Sequence, residues 1–123
     1  MNELQMGAVE SRFADIIWEC EPVSAAVLAK KSEEVLNWKK TTCYTVLKRL
    51  CDKGIFKNEK GQVTSLISRE EYYSRKSEKF VEETFDGSLP AFLAAFTKRK
   101  CLASEEVSAL RRMIEEYEEE KNG

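Results

Sequence analysis

The chain has 123 residues, 42% of them hydrophobic and 34% charged, with a net charge of −2. That is enough apolar side chain for the core of one domain, or of one small domain with an oligomerisation tail. It contains no histidine, which excludes Ser-His-Asp and Cys-His nucleophilic sites and every zinc site that needs an imidazole. There is no Gly-rich phosphate loop and no nucleophile elbow either, so neither an enzyme nor a cofactor is expected. No run approaches 18 apolar residues, and the opening MNELQMGAVE lacks the basic-then-apolar pattern of a signal peptide. A soluble, cytoplasmic protein is the expectation.

In chain order the pattern is mainly α with a small β-hairpin. Val9, Phe13, Ile16, Ile17 and Cys20 keep the spacing of one helix face, predicting a first helix over about 7–20, ended by Glu21-Pro22. Ser24 then stands as an N-cap before a second helix with Leu28, Ala29, Val35 and Leu36 available for burial. Asn37-Trp38 breaks that pattern. A third helix follows over about 39–53, with Cys43, Val46, Leu47 and Leu50 on one face and Thr41, Tyr44, Thr45, Lys48 and Asp52 on the other. Gly54 supplies its left-handed C′ position and Ile55 the apolar contact of such a cap. Next come IFKNE, the tight turn Lys60-Gly61, and QVTSLIS, which together read as a hairpin. Three helices and a hairpin in this order follow the winged helix-turn-helix pattern, with a small α+β domain that has no DNA role as the alternative.

Ser68-Arg69-Glu70-Glu71 matches a capping box, opening a fourth helix that carries Tyr72, Tyr73, Phe80, Val81 and Phe85 and stops at Gly87. Ser88 caps a fifth, with Leu89, Phe92, Leu93 and Phe96 at helical spacing. Ser104 caps a sixth, whose stripe is Val107, Leu110, Ile114 and Tyr117. The acids at 115–120 oppose the dipole at that end, so fraying is expected after Tyr117. The stripe residues Phe92, Phe96, Leu110 and Ile114 have no evident partner within the chain. Burial against a second copy is the expectation, with folding back on the first domain as the alternative. The division expected is a DNA-binding domain over 1–68 and a helical dimerisation region over 69–123.

Charge is unevenly spread. Residues 37–60 hold seven Lys and Arg against two acids, whereas residues 1–36 hold three against seven. A basic segment in an acidic chain is an electrostatic footprint for phosphate. The four cysteines, Cys20, Cys43, Cys51 and Cys101, include no CxxC pair. They read as reduced structural thiols, and no metal site is expected.

Three blocks carry a family resemblance: Ile16-Ile17-Trp18-Glu19; Thr41-Thr42-Cys43-Tyr44-Thr45-Val46-Leu47-Lys48-Arg49-Leu50 with Lys53-Gly54; and Leu66-Ile67-Ser68-Arg69-Glu70-Glu71-Tyr72. Through them the chain resembles the penicillinase repressor family, which includes methicillin-resistance and copper-transport repressors. The resemblance implies a homodimeric transcriptional repressor that binds a palindromic operator in double-stranded DNA and dimerises through its C-terminal helices. In the β-lactam branch a membrane sensor triggers cleavage of the repressor before a Phe. The matching bond here is Ala95–Phe96, with Ala95 in place of the family's Asn. The CxC pair of the copper branch is absent, and Ser11 stands where many members have Trp.

On this reading Thr41, Thr42, Tyr44 and Thr45 reach bases or phosphates, and Lys40 and Lys48 flank them as phosphate or guanine contacts. Lys60 at the wing tip meets a neighbouring phosphate. Arg49 lies between the two faces and suits an ion pair. Trp18 and Trp38 suit the core, and Lys98-Arg99-Lys100 a solvated helix end. Two alternatives remain: a winged-helix protein-interaction module, and a thiol-based redox regulator working through Cys20 or Cys101.

Overall fold

A computed structural model describes residues 5–122; the N-terminal segment read above for a signal pattern begins outside that range. The order is α1 (Ala8–Cys20), β1 (Val23–Ser24), α2 (Ala25–Leu36), α3 (Lys40–Asp52), β2 (Phe56–Glu59), β3 (Gln62–Ser65), α4 (Arg69–Phe85), α5 (Leu89–Arg99) and α6 (Ser104–Asn122). The described residues fall into two compact units, one ending at Lys79 and the other beginning at Phe80. No described helix is long and apolar enough to cross a membrane.

The first unit is a winged helix-turn-helix. Its core gathers Phe13 and Ile17 of α1, Leu28 of α2, Cys43, Leu47 and Leu50 of α3, Ile55, Phe56 and Val63 of the hairpin, and Tyr72 of α4. Two expected core positions face water. Val9 is 52% exposed because Met6, ahead of the helix, fills the buried place at that end, and Val35 is exposed because Leu36 makes the packing contact in the last turn of α2. Ser24 caps α2 as expected, accepting the Val27 N–H at 3.1 Å. Buried Ser32 donates to the Leu28 carbonyl at 2.8 Å, which removes the cost of burying its hydroxyl.

The hairpin is one strand richer than expected. Its sheet runs β1-β3-β2, all antiparallel, with Val23 opposite Val63 and Glu59 opposite Gln62. Strand β1 has two residues, too short to show a period of two in the sequence. Helix α3 ends in a Schellman motif: Gly54, at φ +83°, donates to the Cys51 carbonyl at 3.0 Å and Ile55 to the Leu50 carbonyl at 3.2 Å. The left-handed turn drops Ile55, fully buried, back onto the core and so aims β2.

Ser68 caps α4 by accepting the Glu71 N–H at 3.0 Å. The return arm of the expected capping box goes elsewhere, because Arg75 one turn on takes the Glu71 carboxylate at 2.6 Å.

In the second unit Phe80, Phe85, Phe92 and Phe96 form a chain of rings with centroids 5.7–6.1 Å apart. Phe92 thus has ring partners within the chain, contrary to the expectation from its spacing, because Phe85 and Phe80, seven and twelve residues back, meet it through the turn at Asp86-Gly87. Phe96 meets Phe92 one turn back on its own helix. Even so, α5 and α6 bury no residue, and Phe96 and Ile114 remain 45% and 60% exposed. Helix α6 differs from expectation at both ends. The Glu106 and Val107 N–H groups donate to the Ala103 carbonyl at 3.0 Å, and the Glu106 carboxylate reaches back to the Ala103 N–H at 3.1 Å, so Ser104 is the first helical residue rather than the cap. It continues to Asn122 rather than fraying after Tyr117. Glutamate is a good helix former, and Lys121 lies over the Tyr117 ring in the last turn, where a cation suits the dipole.

Candidate nucleic-acid interface

Helix α3 divides as its sequence requires. Cys43, Val46, Leu47 and Leu50 are buried, while Lys40, Thr41, Thr42, Tyr44, Thr45, Lys48 and Asp52 are exposed. The core fixes the inner face and so fixes which side chains the outer face presents. Its N-cap, Lys39, makes no side-chain cap bond. The first-turn N–H groups of α3 therefore lack a side-chain acceptor and, with Lys39 and Lys40 beside them, favour a negative partner.

Much of the basic segment is already paired. Lys48 lies 3.5 Å from Asp52, Lys57 3.0 Å from Glu59, and Arg49 and Lys53 3.4 and 3.8 Å from the same Glu10 oxygen. Arg49 is thus the ion-pair partner expected of its flank position. Lys48 and Asp52 are both largely exposed, so that pair is weak and open to exchange for a phosphate. Glu10 is more enclosed. Burial works to raise its carboxyl, but the Gly7 N–H, Lys53 and Arg49 outweigh it and hold the group below its usual range. The acid joins the start of α1 to the end of α3. Thr45 also differs from the sequence picture: its hydroxyl donates to the Thr41 carbonyl at 2.9 Å.

The wing is tied down along its length. Lys60 at φ +52° and Gly61 at φ +85° make a two-residue turn of the type that suits strand twist, placing Lys60 at the exposed tip. The Gly61 carbonyl accepts the N–H of Ala25, first residue of α2, at 2.7 Å. At the other end of β3 the Glu21 carboxylate, just past α1, takes the Ser65 N–H at 2.7 Å and the Ser65 hydroxyl at 2.8 Å. Trp18 donates to the Ile67 carbonyl at 3.0 Å and packs its ring against Phe56 and Tyr72. Trp38 packs on Phe13. Both tryptophans serve the core.

Residues 6–116 match the sequence profile of the penicillinase repressor family. The chain belongs to that family. It is similar to a penicillinase repressor of Bacillus licheniformis, 26% identical over 121 residues that span 95% of this chain and 94% of the relative. A penicillinase repressor acts as a regulator of transcription, and this family member presents an exposed polar row on α3 beside a wing hydrogen-bonded to α2.

In this penicillinase repressor family member, Ala95 and Phe96 are exposed on α5, and Lys98, Arg99 and Lys100 are solvated at or just beyond its end. Cys101 is exposed and Cys20 half-buried, whereas burial pushes the Cys43 and Cys51 thiols up and away from reactivity. Sequence reasoning missed Glu10 and Glu21, whose partners lie 39 and 44 residues away.

Proposed function

We propose that the protein is a homodimeric transcriptional repressor that binds a palindromic operator in double-stranded DNA. The supporting observation is the outer row of α3: Lys40, Thr41, Thr42, Tyr44, Thr45 and Lys48 exposed opposite a buried row, with Lys60 on a wing hydrogen-bonded to α2. Thr41, Thr42, Tyr44 and Thr45 contact bases or phosphates. Lys40, Lys48 and Lys60 contact phosphates, and Lys48 exchanges Asp52 for one. Residues 1–68 hold the DNA-binding elements, with Tyr72 of α4 completing their core, and the dimerisation region lies within residues 69–123. A second copy covers the exposed parts of Phe96, Leu110 and Ile114, with Phe92 behind them. The protein works without catalysis and without a cofactor, in the cytoplasm where the DNA is.

Release follows the family's β-lactam branch: a membrane sensor responding to a cell-wall antibiotic leads to cleavage at Ala95–Phe96. That bond lies inside α5, so a protease has to unwind the helix locally to reach it.

The test is a gel shift of the full chain on duplexes carrying one or two half-sites. A two-fold dimer reads half-sites with centres about 34 Å apart, or a multiple of that. Much tighter binding to the double site, falling steeply with salt, supports the reading. Equal affinity for both duplexes refutes dyad recognition, and duplex affinity independent of salt favours a protein-interaction module.

A further inference from the structure

Thr45 stands in the second turn of α3 on the exposed row, and a recognition helix contacts base edges with its N-terminal residues. A threonine can offer a base three things: a donor, an acceptor and a methyl group. The donor is in use, because Oγ1 donates to the Thr41 carbonyl one turn back at 2.9 Å. Guanine O6 and N7, adenine N7 and thymine O4 all require a donor, so Thr45 in this rotamer reads none of them. The same bond turns the hydroxyl toward the helix backbone and leaves Cγ2 as the group offered to a partner. The complement of a methyl group in the major groove is the C5-methyl of thymine.

We propose that Thr45 is a specificity-determining residue that reads a thymine in each half-site by methyl-to-methyl contact. This rests on the DNA-binding reading above and deepens it by naming the base. The competing role for the same side chain is acceptance, through the hydroxyl's remaining lone pair, of an adenine or cytosine amino proton.

The test starts with selection of bound sites from a random duplex pool by the full-length chain, by Thr45→Val and by Thr45→Ser. The valine keeps the methyl and removes the hydroxyl; the serine does the reverse. Position 45 is exposed, so both variants are expected to fold, and melting temperatures near the wild-type value check this. The expected result is a thymine selected by the wild type and Thr45→Val and lost by Thr45→Ser. Uracil in place of that thymine then weakens wild-type binding about fourfold per half-site, the loss of one buried methyl, and about 15-fold when both half-sites are changed. Thr45→Ser should not distinguish uracil from thymine there. Thr45→Ser keeping the wild-type preference while Thr45→Val loses it overturns the proposal in favour of hydroxyl readout. Uracil without effect at every selected thymine overturns it too. Failure of the wild type to enrich any duplex overturns the DNA-binding reading itself, and that result appears before any variant is compared.

Discussion

Replacing Glu21 with alanine tests whether the wing is held by one carboxylate. Glu21 accepts two hydrogen bonds from Ser65, at 2.7 Å from the backbone and 2.8 Å from the hydroxyl, in a half-buried position. Hydrogen bonds to a charged group contribute about 1.5–3 kcal/mol each, and partial exposure places these at the lower end. Glu21→Ala also leaves the Ser65 N–H without its acceptor. A loss of about 2–4 kcal/mol follows, a large share of the ~5–15 kcal/mol typical of a domain. Glu21→Gln keeps an acceptor for the N–H and should lose about half as much. Trp18 and Trp38 both lie in the first unit, so urea unfolding followed by tryptophan fluorescence reports on that unit. Hydrogen exchange at the Ser65 amide reads the clamp directly, with faster exchange expected in Glu21→Ala. A Glu21→Ala protein within about 0.5 kcal/mol of wild type, the scatter of ordinary surface changes, with Ser65 equally protected, would refute the reasoning.

Glu10 is held below its ordinary value near 4.5, so its contribution to stability is complete above that pH and is lost as pH falls through the depressed value. Urea midpoints should therefore fall more steeply with acid in wild type than in Glu10→Gln; parallel curves would contradict the assignment. Lys48→Ala should make the salt dependence of duplex binding shallower by about 0.9 per half-site without changing the selected sequence. An unchanged slope would mean that Lys48 stays with Asp52 on DNA. Phe96→Ala removes a ring 45% exposed in the single chain. If a second copy covers that part, the two subunits together lose about 2 kcal/mol, some 30-fold in the dimer constant by sedimentation. A chain truncated after Ala95 should be monomeric and bind the full dyad weakly, and one that stays dimeric removes the release mechanism.

Legibility in the sequence followed the range of the interaction. Helix α3 could be read whole, because its inner face repeats within one element and Gly54 and Ile55 mark its end. Lys60-Gly61 announced the wing for the same reason. Strand β1 could not be read, since two residues carry no period and its existence depends on a partner some 40 positions later. The clamps at Glu10 and Glu21 were hidden in the same way, as ordinary surface acids until the chain brings Arg49, Lys53 and Ser65 to them. Tyr72 in the first core was hidden by its position in what reads as a separate helix. For the candidate interface the sequence gives residue types but not rotamers. It offers Thr45 as a hydroxyl, and only the bond to Thr41 reveals which end of the side chain is free.

The wing turn has a consequence for anyone who would stabilise this fold. Lys60 occupies the left-handed region, at φ +52°, where a residue with a Cβ gives up roughly 1 kcal/mol that glycine, and to a lesser degree asparagine, would keep. Screening hairpin variants for heat resistance should therefore enrich neutral residues at position 60, because the backbone geometry favours them. Each such gain removes a positive charge from the tip. If Lys60 meets a phosphate as proposed, thermal tolerance and reach toward a polyanion pull in opposite directions at this one residue, and a screen that measures only melting would drift toward hardier proteins that hold DNA less well.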